Sequence, residues 1–347
     1  MAAPADTSPV AETRHAARRA ERQPSGGWRT IMAKELADHL GSVRFFVLLI
    51  VVALAAIVPM YFISTDISAA APQVAGQPAL FLVLFIGGSD QVGGVPMIAL
   101  AALLVPLVGI AFGFDGINSE RAQGTLSRLL AQPIHRDDVI NGKFAAGIAD
   151  HQGDDRDAGA LVLLVTALGI VRLGIIPSPE ELARVGVWLL ATVLYASFWL
   201  AFALLLSVVI RGPASAALVG FGSWFGLILF GQFLLPLIAN FLFPATTTTL
   251  GPYAYASTQS ASLFLRISPA VLYDDIVRAV MNPSTTSVLG FENIGQAISN
   301  AERVQTSLLT LDQSLLLVWP QIVVLTALTT AMFALAYVLF LRQEVRA

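Results

Sequence analysis

Gly142 and Lys143 suggest phosphate binding, because a Gly-Lys pair closes the phosphate-binding loop of many ATPases. The full G-x-x-x-x-G-K-[ST] pattern is absent, since Asp137 occupies the first glycine position and Phe144 follows the lysine. We therefore expect this chain to bind no nucleotide and to hydrolyse no ATP.

Glu180, Glu181 and Arg184 are similar to the Glu-Glu-x-x-x-Arg motif of intramembrane CAAX-type proteases, but their spacing is one residue short. Those enzymes also need downstream histidines, and the sequence has no histidine after His151. Pro179 followed by two glutamates is typical of the first turn of a helix, where carboxylates interact favourably with the helix dipole. We predict a helix start here and no catalytic residue.

The stretch Asp150–Asp157 (DHQGDDRD) contains residue types that bind metals. Its spacing matches neither a calcium-binding EF-hand loop nor a zinc-binding histidine pair, so we expect no metal site. Two other interpretations remain open: a loop that extends to Gly159, or a local reading-frame artefact within one interrupted apolar helix. We favour the artefact as a hypothesis, which renewed sequencing of the coding DNA would test.

The composition restricts the class of protein that could carry these residues. The chain of 347 residues is 56% hydrophobic and only 12% charged, with a mean hydropathy of +0.74 and no cysteine. A soluble domain has about twice this charged fraction. The net charge of -3 gives no basic footprint for nucleic acid. A soluble enzyme, a disordered protein and a nucleic-acid binder are all disfavoured.

The apolar residues occur in blocks long enough to cross a bilayer, which needs about 20 helical residues. The predicted spans are approximately residues 45–63, 95–114, 186–210, 213–241 and 315–341, with a weaker one at 145–171. Ala79–Gly88 is too short to span, so we predict an interfacial or short re-entrant segment. The predicted fold is an all-α polytopic membrane protein with six transmembrane helices within a domain at residues 44–347.

Residues 1–27 are polar and are predicted to form a disordered cytoplasmic tail rather than a signal peptide. Residues 28–43 are predicted to form an interfacial elbow helix. Its apolar residues recur at spacings of three and four: Trp28, Ile31, Met32, Leu36 and Leu40. Its polar residues are predicted on the other side: Arg29, Lys34, Glu35 and Asp38.

Lysine and arginine lie mainly on one side of the predicted membrane, which places both termini in the cytoplasm and requires an even number of spans. We expect a multi-pass protein of the cytoplasmic membrane. The outer segment, residues 244–314, is predicted to be helical. Within it, Ile267–Val280 is predicted to be an amphipathic helix that lies on the outer surface and covers the dimer.

The inner loop Asp115–Lys143 is the longest polar stretch between spans on the cytoplasmic side. Leu126, Leu129 and Leu130 share one helical face, Pro133 ends that helix, and Asp137 can cap a second one. The pattern predicts two short helices with an apolar ridge facing the cytoplasm. That ridge is either a packed connector or a docking surface for a soluble partner.

This loop resembles the first cytoplasmic loop of ABC-2-type permeases, the transmembrane subunits of certain ABC transporters. The residues that carry the resemblance are Glu120, Gly124, Thr125, Leu126, Leu129, Leu130, Pro133, Arg136, Val139, Ile140, Gly142 and Lys143. The resemblance extends to Lys34–Leu36 and to six spans with both termini inside. It implies that Glu120–Gln132 is a coupling helix that docks on an ATPase, with a second contact at Arg211.

The resemblance implies a permease subunit that pairs as a homodimer and moves a substrate across the membrane. Two copies of a separate ATPase would bind ATP and magnesium, while this chain binds no cofactor. An ATPase-driven assembly factor that moves no solute remains an alternative, because it would need the same loop. An intramembrane enzyme is disfavoured, because the predicted spans contain almost no catalytic polar groups.

Overall fold

A computed structural model of the protein describes residues 27–69, 79–126, 135–151, 174, 176–242, 244, 260, 263–283 and 308–343. Every regular element within these residues is helical, which confirms the all-α class. The main helices are α1 (Gly27–Leu40), α2 (Val43–Ala69), α3 (Leu80–Ile86), α4 (Met97–Gly113), α5 (Asn118–Ala122), α6 (Arg136–His151), α7 (Pro179–Val209), α8 (Pro213–Leu242), α9 (Pro269–Met281) and α10 (Leu311–Arg342).

Five helical segments of the described residues are long and apolar enough to cross a membrane. They are Val43–Ala69, Met97–Ala122, Pro179–Val209, Pro213–Gly231 and Leu311–Arg342, and they correspond to the five stronger predicted spans. The sixth predicted span is described only as far as His151, where α6 ends. The side chains of the Asp150–Asp157 cluster, the predicted tail and much of the predicted outer segment lie outside the described residues.

The central helix of the bundle is α7, which packs along α4 and α10. Two glycines of α4 allow a close approach to α7: a Cβ on Gly109 would lie 2.7 Å from the carbonyl oxygen of Ala196, and one on Gly113 would lie 2.7 Å from the Cβ of Ala203. Small residues at this spacing let membrane helices pack backbone against backbone. The helices α4 and α7 therefore pack closely against each other within the bundle.

The helix directions define two ends of the bundle. Ser314 at the start of α10 lies 3.2 Å from Arg184 near the start of α7, so these two helices run parallel. Arg44 at the start of α2 pairs with Asp115 just after α4, so α2 runs antiparallel to α4. We call the end where α7 and α10 begin the Arg184 end, and the end where they finish the Lys143 end.

The short helix α3 lies at the Arg184 end and is buried, with Phe81, Leu82, Leu84 and Phe85 at most 2% exposed. It packs beside α2, α4 and α9. Its backbone is fastened to α7, because the Phe81 N–H donates to Oε1 of Glu181 at 3.1 Å. Burial on several faces favours the re-entrant interpretation of Ala79–Gly88 over the interfacial one.

The helix predicted at Ile267–Val280 is present as α9 and is amphipathic as expected. Its side chains Leu272, Ile276 and Val280 are at most 1% exposed, and the helix packs against α7 and α10. Tyr273 stacks on Tyr195 of α7 with ring centroids 4.5 Å apart. The helix is therefore part of the core of the subunit, a deeper position than the surface cover that we predicted.

Candidate functional site

The predicted inner loop begins with α5, which is anchored to the last turns of α7. The backbone N–H groups of Ile117 and Asn118 both donate to Oγ of Ser207, at 2.9 and 3.1 Å. The first N–H groups of a helix have no partner inside that helix, so the serine hydroxyl from α7 satisfies them. The loop therefore leaves the membrane-spanning bundle at a fixed point.

A left-handed turn ends α5. Gly124 has a φ of +67°, a conformation that favours glycine. The Thr125 N–H then donates to the carbonyl oxygen of Glu120 at 2.9 Å, and its hydroxyl donates to the same oxygen at 3.2 Å. Gly124 and Thr125, which the sequence marked as site residues, thus shape the turn that follows Glu120.

Leu126 was predicted to face the cytoplasm, and this prediction is wrong. Its side chain is 6% exposed and lies in an apolar cluster that also contains Ile31, Ile117, Val139 and Val208. The leucine therefore binds the loop to the subunit itself. Three other predicted site residues lie outside the described residues: Leu129, Leu130 and Pro133.

The predicted second helix of the loop is α6, which begins at Arg136. Asp137 was predicted to cap it, but Asp138 does so, because the backbone N–H of His135 donates to Oδ2 of Asp138 at 3.3 Å. The capping residue is one position later because a carboxylate three residues into the helix reaches back to the residue that precedes it. Both carboxylates still lie in the first turn.

The centre of the site is a buried cluster of three charged residues. Nζ of Lys143 lies 2.8 Å from Oε1 of Glu35 and 3.0 Å from Oε1 of Glu120. The side chains of Lys143, Glu35 and Glu120 are 5%, 12% and 14% exposed. The cluster joins α1, α5 and α6 through charge-assisted hydrogen bonds, which are stronger than neutral ones.

Glu35 was predicted on the exposed polar side of the elbow helix, and this prediction is wrong. The buried residues of α1 are Gly27, Ile31 and Glu35, which follow each other at intervals of four and form one stripe. Burial would raise the pKa of Glu35, but the charge and hydrogen bond of Lys143, together with Lys34, hold it below its usual value. Glu35 is therefore ionised at neutral pH.

Gly142 allows the two helices that carry Glu35 and Lys143 to approach each other. A Cβ at this position would lie 2.8 Å from the carbonyl oxygen of Trp28 and 2.8 Å from the Cβ of Ile31. No side chain larger than hydrogen fits there without moving α1 away from α6. Gly142 thus has a packing role next to Lys143.

Some polar atoms of the site have no hydrogen-bond partner among the described residues. They are Oε2 of Glu120 and both amide atoms of Asn118, and all three are buried. Buried polar groups are nearly always hydrogen-bonded, since leaving one unpaired costs about 1–3 kcal/mol. The start of α5 therefore retains unused hydrogen-bonding capacity at the point where the loop meets the bundle.

Gln343, which sequence analysis did not identify, lies at the same end. Its Nε2 donates to the carbonyl oxygen of Val208 at 2.7 Å, and its Oε1 accepts a hydrogen bond from Arg121 at 2.5 Å. The guanidinium of Arg136 donates to its backbone oxygen at 3.4 Å. The sequence signal was slight: a single amide directly after a long apolar span.

Arg211, the predicted second contact, is exposed in the short turn between α7 and α8. This turn is at the Lys143 end, because α7 finishes there. Arg136 is exposed as well. The structure thus brings Glu120, Gly142 and Lys143 into one cluster and leaves Arg136 and Arg211 at the surface of the same end.

The contacts at this end of the bundle join elements of the chain to one another. The described residues contain no group of three or more His, Cys, Asp or Glu side chains that could hold a metal ion. Lys143 is occupied by two carboxyl groups, and Glu35 is held in its ionised form. These contacts connect α5, at the start of the loop, to α1 and α6 through the Lys143 cluster, to α7 through Ser207 and to the end of α10 through Gln343.

Comparisons with known proteins show what the chain is similar to. The model of the family described as "ABC-2 family transporter protein" matches residues 29–345. The chain is 31% identical over 168 residues to the "Probable ABC transporter permease protein NosY" of Stutzerimonas stutzeri, covering 43% of this chain and 58% of that protein. It is 29% identical over 139 residues to the protein of the same name from Pseudomonas aeruginosa, covering 38% of this chain and 46% of the relative. The chain thus matches about half the length of these relatives.

Proposed function

Because the chain belongs to the ABC-2 transporter family, we propose that it is a permease subunit driven by an ABC ATPase on a separate chain. The observation that carries this proposal is the loop between α4 and α6, which the Lys143 cluster and Ser207 fasten to the spanning helices. A movement applied to this loop reaches α7 directly.

The proposed ATPase contact is the segment from Glu120 to Gln132. Leu126 is used inside the subunit, so the apolar part of the contact falls to Leu129 and Leu130. The exposed Arg136 and Arg211 lie at the same end and add positive charge at its edge. ATP and magnesium would bind to the ATPase chain, and Lys143 would carry the resulting movement into the bundle.

The proposed topology has six spans with both termini in the cytoplasm, so that the Lys143 end is the cytoplasmic one. Gly147 of α6 packs against Leu200 of α7, which supports a path of α6 into the bundle from the Lys143 end. The chain next enters α7 at Ser178, at the Arg184 end. Because α6 starts at the Lys143 end and α7 starts at the Arg184 end, we include a third crossing near residues 145–171 in the proposal.

A homodimer in the cytoplasmic membrane is part of the proposal, because a six-span subunit offers half of a transport path. The helix α8 supports it, since few residues of its spanning part are buried within the subunit. Large apolar side chains face outwards along it, among them Leu218, Phe230 and Phe241. This surface suits lipid and a second copy. The exposed Trp28 and Leu40 of α1 suit the membrane interface in the same way.

The proposal is tested by co-expressing the chain with an ABC ATPase encoded beside it and purifying the complex in detergent. We expect the wild type to retain the ATPase. The double variant Leu129→Asp/Leu130→Asp should lose it, and Arg211→Glu should weaken it. Arg278→Glu, a charge reversal on the exposed side of α9, should have no effect on binding.

Failure of the wild type to retain the ATPase would contradict the proposal, and so would equal loss in the Arg278→Glu variant. Reconstitution in vesicles then separates transport from the assembly-factor alternative. A transporter changes the solute content of the vesicles when ATP is added. An assembly factor hydrolyses ATP with its ATPase and leaves the solute content unchanged.

A further inference from the structure

Gln343 lies one residue beyond α10, where it contacts three other elements of the bundle. Its backbone N–H caps α10 by donating to the carbonyl oxygen of Phe340 at 3.2 Å. Its side chain extends towards α7 and α5, where its amide group makes one hydrogen bond to each. The amide group has one donor side and one acceptor side, and each side is used on a different partner.

The donor side is directed at α7. Nε2 of Gln343 donates to the carbonyl oxygen of Val208 at 2.7 Å, and α7 ends at Val209. The last carbonyl groups of a helix have no partner within the helix, so this bond satisfies one of them. A carboxylate at position 343 could not make this bond, because it has no N–H to donate.

The acceptor side is directed at the coupling loop. Oε1 of Gln343 accepts a hydrogen bond from Nη2 of Arg121, which is on α5. A guanidinium can only donate and a carbonyl oxygen can only accept, so the two partners fix the orientation of the amide. A bond to a charged group is also stronger than a bond between neutral groups.

The apolar contacts around Gln343 hold the helix ends together without it. Leu204 and Val208 of α7 and Ala336 and Phe340 of α10 belong to one buried cluster. Loss of the amide should therefore leave the fold intact. Its loss removes the hydrogen bond between Arg121 of α5 and the end of α10.

We infer that Gln343 is a positioning residue that makes α5 and the ends of α7 and α10 move together during ATP-driven transport. This inference rests on the proposed function, because it assigns the route by which the coupling loop reaches α10. The Lys143 cluster joins the loop to α1 and α6. Gln343 adds a connection to the last span that none of those three charged residues makes.

The absence of cysteine from the sequence allows spin labels to be placed without background. Cysteines at Gln123, beside α5, and at Leu335, on the exposed side of α10, report the distance between loop and last span. The complex with its ATPase is measured in lipid nanodiscs, without nucleotide and with ATP and magnesium. Permease-dependent ATP hydrolysis is measured on the same samples without labels.

Gln343→Leu and Arg121→Met should broaden the distance distribution and lower permease-dependent ATP hydrolysis roughly three- to tenfold, the range expected when one coupling contact is lost. Gln343→Glu should broaden the distribution less than Gln343→Leu, because its carboxylate still accepts from Arg121 although it no longer donates to Val208. The matched control is Gln313→Leu at the other end of α10, where Oε1 of Gln313 accepts from the Thr310 N–H at 3.1 Å. It should change neither readout.

The inference is overturned if Gln343→Leu matches Gln313→Leu in both readouts while the ATPase remains bound. It is also overturned if Arg121→Met leaves the distribution as narrow as in the wild type. Failure of the proposed function looks different: the wild type then retains no ATPase, while the distance without nucleotide still responds to Gln343→Leu.

Discussion

The two ends of the bundle bury charge in different ways. At the Arg184 end, the guanidinium of Arg184 donates to the backbone oxygens of Val280 and Leu309 and to the hydroxyl of Ser314. Among the described residues, Glu180 adds an opposite charge at 2.9 Å. At the Lys143 end, one lysine lies between two carboxyl groups, and Gln343 links to Arg121.

This difference indicates which end of the bundle is suited to movement. Backbone oxygens are fixed by the helices and loops that carry them, so the contacts of Arg184 hold α7, α9 and α10 in one arrangement. The Lys143 cluster pairs side chains with side chains, and we expect such pairs to tolerate small shifts of α1, α5 and α6 better than bonds to backbone oxygens do. We therefore propose that the Arg184 end holds α7, α9 and α10 in a fixed arrangement. The Lys143 end would transmit movement from the loop.

The largest expected effect is that of Arg184→Met. It leaves the backbone oxygens of Val280 and Leu309 without their charged donor, so we expect about 3–5 kcal/mol of destabilisation. The control is Arg278→Met, in an exposed pair with Asp274, which should cost less than about 1 kcal/mol. Thermal unfolding in detergent measures both. Equal losses of stability in the two variants would contradict the larger role that we assign to the buried Arg184 than to the exposed Arg278.

The second effect is that of Lys143→Met, which leaves Glu35 and Glu120 buried beside each other without their shared cation. We expect about 2–4 kcal/mol of destabilisation, somewhat less than for Arg184 because Lys34 remains next to Glu35. The double variant Lys143→Met/Glu35→Gln should recover part of the loss. A double variant less stable than the single one would show that the pairing is not what stabilises this end.

The third effect is steric and compares one glycine from each end. Gly142→Ala forces α1 away from α6 and should cost about 1–3 kcal/mol. Gly186→Ala, on α7 near Arg184, meets no atom within 4 Å and should stabilise the helix by up to about 1 kcal/mol. Unfolding in detergent compares the two. A loss in both variants would contradict the close packing assigned to α1 and α6.

The smallest effect is a difference in pH dependence. The pKa of Glu35 is lowered, so its contribution to stability is present above pH 4.5 and is lost as the pH falls through its folded value. Burial raises the pKa of Asp275, on α9, although the nearby charge of Arg266 lowers it in part. The contribution of Asp275 to stability is therefore present at low pH and declines as the pH rises above 3.8.

Stability measured between about pH 3 and pH 6 tests these opposite signs. Glu35→Gln should flatten the loss of stability on acidification, and Asp275→Asn should flatten the loss as the pH rises. If both variants change the slope of stability against pH in the same direction, the opposite pKa shifts that we assign to Glu35 and Asp275 are wrong.

The membrane spans could be predicted from the sequence because each is a local property of one uninterrupted apolar segment. The start of α7 was predictable for the same reason: Ser178, Pro179 and Glu181 form a local helix-capping pattern, and the structure contains that capping box. Glu120 and Lys143 were identified through resemblance to a family, which marked them before any contact between them was known.

The partners of Glu35 and Gln343 could not be predicted, because they depend on residues distant in the chain. Lys143 is 108 positions from Glu35, and Arg121 is 222 positions from Gln343. A charge on an amphipathic helix is usually exposed, and only a distant partner makes its burial favourable. Leu126 was assigned to the wrong side for a similar reason, since its neighbours come from several helices.

The close packing of Gly109 and Gly113 against α7 has a consequence for how the protein is made. During synthesis, α2 and α4 enter the membrane long before α7 leaves the ribosome. Lipid tails are as apolar as the side chains of these helices, so the two helices can persist as separate units in the bilayer. The arrival of Pro179–Val209 is then the step at which individual inserted helices assemble into a subunit.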